Sequence, residues 1–154
     1  MVEAHNYRIA YFSEGYLCFL HQDTYFLKET SLENMCAWVL RLNKMETIGI
    51  IGVAGASMEK DSHIYSSILQ RSRAERYGDT CVRSERKVQT LDECLFIIPK
   101  YKIMECGFDR NLKEFHLYYV EHCLRMNKYK ESCVVIPVKI WHISSGSHFR
   151  LDVL

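Results

Sequence analysis

Two short runs that are apolar on both faces, Tyr16-Leu-Cys-Phe-Leu20 and Ile48 to Ala54, set the strongest limit on the fold. A sheet with one wet face demands alternation of apolar and polar residues, whereas an unbroken run of this length suits a central strand of a sheet covered on both faces. Gly15 and polar His21-Gln22-Asp23 bound the first run. Between the runs, Thr30-Ser31 with Glu33 close behind reads as a helix start. Met35, Trp38, Val39 and Leu42 then recur at helical spacing toward an end near Lys44. In the second run Gly49, Gly52 and Gly55 let backbone pack closely or turn. Strand, helix, strand at these lengths predicts an α/β fold with a mixed, mostly parallel sheet and flanking helices.

Further along, Ser57 to Gln89 is polar and rich in arginine (Arg71, Arg73, Arg76, Arg83, Arg86), and reads as a surface excursion carrying a hairpin. Leu91 to Pro99 contains a third core strand, Cys94-Leu-Phe-Ile-Ile98. Gly107-Phe-Asp109 turns into a helix from Lys113 to Asn127, with Phe115, Tyr118, Val120 or Tyr119, and Cys123 or Leu124 as its buried stripe. Cys133 to Ile136 and Val138 to Trp141 form a strand pair or one strand bent at Pro137.

The 154 residues are one domain's worth of chain, and 48% apolar residues suffice for a core. With 20 basic and 19 acidic residues the net charge is +1, which excludes strong electrostatic attraction to nucleic acid. The 7 cysteines include no CxxC, and no basic start leads into an apolar signal segment. That pattern reads as a reduced, cytoplasmic protein. No apolar run reaches the ~18–20 residues of a membrane-spanning helix, so association with a membrane is peripheral at most.

Candidate chemistry sits where strands end. Asp23 follows the first predicted strand and His142 the last, before Ser144-Ser-Gly-Ser147. In open α/β sheets the ligand crevice lies beyond the carboxyl ends of the strands, and a carboxylate there can hold a hard cation. Each residue also has a plain structural reading, Asp23 as a turn cap and His142 as a hydrogen-bonded histidine. Gly49-x-x-Gly52-x-x-Gly55 lacks the spacing and lysine of a phosphate loop and reads as backbone packing. Cys106, His116, His122, Cys123 and Cys133 match no common zinc pattern. The arginine cluster reads as a solvated face, and Trp141 and Phe149 as core or sheet-face residues rather than a sugar-stacking platform.

Four segments, in order, resemble a bacterial glycosyltransferase-like family related to the inverting family-two enzymes of the GT-A fold. Phe19-Leu-His-Gln-Asp23 is similar to its FLHQD segment, and Gln89-Thr-Leu-Asp-Glu-Cys-Leu-Phe-Ile-Ile98 to its acceptor-side strand. Gly107-Phe-Asp109 with Phe115-His-Leu-Tyr118 and Glu121-His-Cys-Leu-Arg125 is similar to its GFD and FHxY stretch. Trp141-His142-x-Ser144-x-Gly146 is similar to its closing HxSxG.

The resemblance implies a single GT-A-like partial domain over residues 1–154, transferring a sugar from a nucleotide-sugar donor to a glycan or lipid-linked acceptor. It implies Mn²⁺ or Mg²⁺ held by Asp23 and His142, with His21, Gln22 and Asp23 on the donor side. Asp92 and Glu93 would line the acceptor side, and the helix carrying Glu121 would offer the base. Tyr118-Tyr119 stands where the family places an acidic pair, and a phenol titrating near pH ~10 is a poor base, so Glu121 is the remaining carboxylate, with a structural anchor as its other reading. The Asp-bearing strand arrives by residue 16, with Asn6 and Ala10 as the tail of a preceding helix. The chain therefore corresponds to the later part of the domain, incomplete at its N-terminus. The alternative is a non-catalytic remnant or interaction module that needs a partner chain. An exposed apolar sheet edge further predicts a homo-oligomer.

Overall fold

The computed structural model describes residues 14–45, 47–57, 63–70, 75–112 and 117–143. The expected helix tail at Asn6 and Ala10, and His116, Phe115, Arg71, Arg73, Ser144, Gly146 and Phe149, lie outside these. The main sheet has five strands, β1 (Tyr16–Leu20), β3 (Ile48–Gly52), β9 (Arg86–Val88), β11 (Leu95–Pro99) and β12 (Ser132–Val135), in the order β1-β11-β3-β12-β9. β11 is antiparallel to both β1 and β3, β12 is parallel to β3, and β9 is antiparallel to β12. Hence β1, β3 and β12 share one direction, as the strand–helix–strand rhythm predicts, but only β3 and β12 are parallel neighbours.

The expectation of a mostly parallel sheet is corrected by this insertion. A parallel neighbour requires a crossover that carries the chain back to the starting end of the sheet. After β3 the chain instead wanders through small strands and re-enters at the end where β3 finished, so β11 must run the opposite way. β1 is likewise not central: among the described residues it stands last in the order, with Cys18 exposed and Leu20 46% exposed.

The expected surface excursion is built into two four-stranded sheets, and its hairpin is the antiparallel pairing of Leu69 with Arg76 and Gln70 with Glu75. One is β10-β4-β5-β8, from β4 (Ala54–Ala56), β5 (Ile64–Ser66), β8 (Thr80–Cys81) and β10 (Thr90–Leu91). The other is β2-β13-β6-β7, from β2 (Thr24–Phe26), β6 (Ile68–Gln70), β7 (Glu75–Arg76) and β13 (Ile140–His142). The apolar run at Ile48 to Ala54 is therefore split at Val53 between two sheets. β12 and β13, separated by Pro137, also join different sheets.

Helix α1 (Ser31–Met45) begins at the predicted cap and buries Met35, Val39 and Leu42. α2 (Lys100–Glu105) follows β11 directly, and α3 (Tyr118–Lys128) buries Tyr118, His122, Cys123 and Met126. The α1 side of the main sheet holds Ile48, Ile51, Leu95, Ile97 and Val134 against Met35, Val39 and Leu42. The other side holds Ile50, Phe96, Ile98, Cys133 and Val135 against Ile103, Phe108 and Met126. The glycines serve this packing. A Cβ on Gly49 would lie 2.9 Å from Met126 Cβ, and one on Gly55 would lie 2.3 Å from the Thr90 carbonyl oxygen. All seven cysteines are free. Among the described residues no helix is long and apolar enough to cross a membrane.

Candidate metal centre

The turn that ends β1 is locked by backbone bonds before any side chain acts. His21 N–H donates to the Cys94 carbonyl at 3.0 Å, Thr24 N–H to the His21 carbonyl at 3.1 Å, and Ile143 N–H to the Asp23 carbonyl at 3.1 Å. β2 then pairs antiparallel with β13 so that His142 stands opposite Thr24. This register carries a residue from the far end of the sequence to the strand exit occupied by Asp23.

Three side chains meet there. His142 Nε2 lies 3.1 Å from Asp23 Oδ1, and His21 Nδ1 makes a short contact with the same oxygen. The imidazole rings stand edge to face with centroids 5.6 Å apart. One ligand atom from each of His21, Asp23 and His142 falls within 4.8 Å of the other two, the only such group of three among the described residues. His142 is buried at 8% exposure, while Asp23 and His21 are half-buried, so the cluster is anchored on its inner side and open on the other. Two imidazole nitrogens and one carboxylate oxygen form a donor set that fits a small divalent transition ion. Gln22 is exposed at the tip of the turn.

The sequence reading paired Asp23 with His142 for metal and assigned His21 to the donor side; the structure brings all three together. His21 reaches the shared oxygen because the turn at 21–23 folds it back onto Asp23.

Asp92 and Glu93 lie on the turn before β11, at the same end of the sheet. The Cys94 N–H donates to Asp92 Oδ1 at 2.9 Å, and the Tyr77 phenol also bonds Asp92. Burial, reinforced by Asp92, pushes the Tyr77 phenol up to about 12. Burial first, then Asp92, likewise holds the Cys94 thiol protonated. Tyr77 is a partner of Asp92 that no sequence motif announced. On α3, burial and then Glu93 push the Tyr118 phenol up to about 12. Tyr119 is raised further by burial, Asp92 and Glu93, which removes it as a base.

Glu121 accepts a bond from Arg125 Nη2 at 2.7 Å, and the same Arg125 nitrogen reaches the Gly107 carbonyl at 2.9 Å. Burial raises the Glu121 carboxyl above its ordinary value while Arg125 pulls it back. Of the zinc-ligand candidates, Cys106, His122, Cys123 and Cys133 form no group of three ligands among the described residues. Arg76, Arg83 and Arg86 are exposed.

A protein-family model described as "Glycosyltransferase like family" matches residues 1–152. No curated protein matches the chain.

Proposed function

The chain belongs to the glycosyltransferase-like family, and from that premise we propose that it transfers a sugar from a nucleotide-sugar donor to a glycan or lipid-linked acceptor, inverting the anomeric carbon. The convergence of His21, Asp23 and His142 carries this reading. Its mixed nitrogen and oxygen donors suit Mn²⁺ better than Mg²⁺, which favours shells of oxygen alone. A cation bound there supplies neutralisation of the negative charge that builds on the departing diphosphate.

The chain's own residues do the rest. Asp23, His21 and His142 would hold the ion, and Gln22, exposed at the tip of the turn, would be free to meet the donor. The Cys94 amide orients the Asp92 carboxylate, and Asp92 and Glu93 present acceptor-side hydrogen-bond acceptors. Glu121 serves as base. As the acceptor oxygen bonds the anomeric carbon, its proton passes to Glu121 and the bond from that carbon to the diphosphate oxygen breaks. Burial makes this carboxylate more basic than one in water, and Arg125 keeps it ionised until the proton arrives.

A second reading, a non-catalytic module that needs a partner, is favoured by one observation: Glu121 is already engaged by Arg125. Two measurements separate the readings. Titrating Mn²⁺ by electron paramagnetic resonance should show binding that Asp23→Ala abolishes without loss of fold, and binding that survives the substitution ends the metal assignment. Release of nucleoside diphosphate from UDP-, GDP- or dTDP-sugars should be stimulated by Mn²⁺ and lost in Glu121→Gln. Metal binding with no such release favours the module.

A further inference from the structure

The sheet β2-β13-β6-β7 has a second face that the metal cluster does not use. Its register places Tyr25 opposite Trp141, Trp141 beside Leu69, and Leu69 opposite Arg76, one row crossing all four strands. Successive residues of a strand point to opposite faces. Thr24, His142, Ile140 and Ile68 are buried on the inner face, so this row lies on the outer one. Tyr25 is 48% exposed, Arg76 is exposed, and Trp141 and Leu69 are half-buried. The Tyr25 and Trp141 rings lie 5.4 Å apart between centroids, tilted by 38°, which makes a shallow aromatic trough.

Trp141 is a sheet-face residue, as its sequence suggests, but its pairing with Tyr25 carries it beyond that reading: we propose that this row is a glycan-binding platform on which pyranose rings stack, a subsite separate from the His21–Asp23–His142 cluster. An aromatic face carries partial negative charge. One side of a pyranose ring presents C–H groups made partly positive by neighbouring oxygens, so the two surfaces attract weakly while the equatorial hydroxyls stay free at the rim. Leu69 continues the apolar floor, and the Arg76 guanidinium at its end offers donors to a hydroxyl or carboxylate. Four strands at about 4.8 Å spacing give a row about 14 Å long, room for a short oligosaccharide rather than a single ring. Among the described residues Arg76 is the one cation of this row, and one is too few for the polybasic attraction that draws a protein to anionic lipid.

Tyr25 and Trp141 directly adjoin Thr24 and His142 in sequence, yet face away from them. A glycan held here is an anchored, remote part of a ligand and not its reacting ring. Only the choice of sugar as the ligand class rests on the transfer reading; the platform itself does not need the metal.

The test uses the full chain carrying Trp38→Phe, which leaves Trp141 as the only tryptophan of the two in the sequence. Cellotriose, chitotriose, maltotriose and raffinose are titrated while tryptophan emission is followed. At least one should give a saturable change with half-saturation on the order of 1 mM. Tyr25→Ala, at an exposed position, should weaken it about fivefold, the loss expected for one stacked ring. Trp141→Phe, read by ligand-observed NMR, should weaken it less. Asp23→Ala should leave it unchanged, so failure of the metal reading and failure of this one are told apart. No saturable change with any sugar up to about 20 mM, or unchanged affinity in Tyr25→Ala, overturns the proposal. So does binding to vesicles of equal phosphatidylcholine and phosphatidylglycerol without any response to sugar, which would make the row a membrane contact.

Discussion

His122 offers the sharpest test of the packing. It is fully buried on α3, neither ring nitrogen has a hydrogen-bond partner among the described residues, and its ring meets that of Phe108 at 5.3 Å between centroids. Burial, and then the Arg125 charge, push its pKa down from 6.5 to about 4. The folded protein therefore resists taking up a proton that the unfolded chain accepts. A group whose folded pKa is depressed leaves stability intact above its unfolded value, and stability falls as pH drops from about 6.5 toward about 4. Between about pH 7.5 and about pH 5 this one residue should remove roughly 2 kcal/mol. His122→Leu keeps a similar volume, loses the two unsatisfied nitrogens, and cannot be charged. Urea unfolding of both proteins at the two pH values isolates the term, because every other titrating group cancels in the difference. The variant should gain on the wild type by roughly 2 kcal/mol on acidification, and should already be the more stable near neutral pH by about 1 kcal/mol. Parallel pH dependence in the two proteins would refute the reasoning.

Three further outcomes are expected. Gly55→Ala places a methyl group against the Thr90 carbonyl, where only backbone movement gives relief; it should cost about 1–3 kcal/mol in urea unfolding, and an unchanged midpoint would show that β4 and β10 are looser than drawn. Lys102→Met leaves the Glu131 carboxylate, sheltered to 11% exposure, without the lysine that contacts it; a loss of about 2 kcal/mol, partly recovered by adding Glu131→Leu, is expected in the same assay, and a neutral single variant would count against the pair. Because β1 ends the sheet order among the described residues with Cys18 and Leu20 exposed, sedimentation equilibrium should show a mass that rises with concentration. A constant monomer mass over the micromolar range would reject edge pairing.

The parts of the fold that could be read in advance are those where several residues repeat one signal. Helix α1 has Thr30-Ser31 at its start, a first-turn Glu33 and a buried stripe at helical spacing, and it starts where those residues place it. The strands at Tyr16, Ile48, Leu95 and Cys133 each carry four or five consecutive apolar or small residues. By contrast α2 spans 6 residues with no side-chain cap and buries only Ile103, so its stability comes from packing on the sheet rather than from local pattern. Strands such as β7, β8 and β10, of 2 residues each, are too short to show any period. The break at Val53 left no trace because both sheets it joins are buried there. In the site, Asp23 and His142 stood out as polar residues at strand exits. That His21 shares their oxygen, and that Tyr77 holds Asp92, depends on turn geometry and cross-sheet distance, which a linear pattern does not encode.

The insertion of β11 between β1 and β3 also orders events in time. Tyr16 pairs with Pro99 and Leu20 with Leu95, so the first strand cannot find its neighbour until most of the chain exists. β1, α1 and β3 all precede β11 in the chain, so until residue 95 is made the strand that separates β1 from β3 is missing. Such distant pairing is slow, and the waiting segments are those most prone to stick to other chains. A nascent chain arrested before residue 95 should thus be a client for chaperones, and the full-length chain, with β11 and β13 in place, should not.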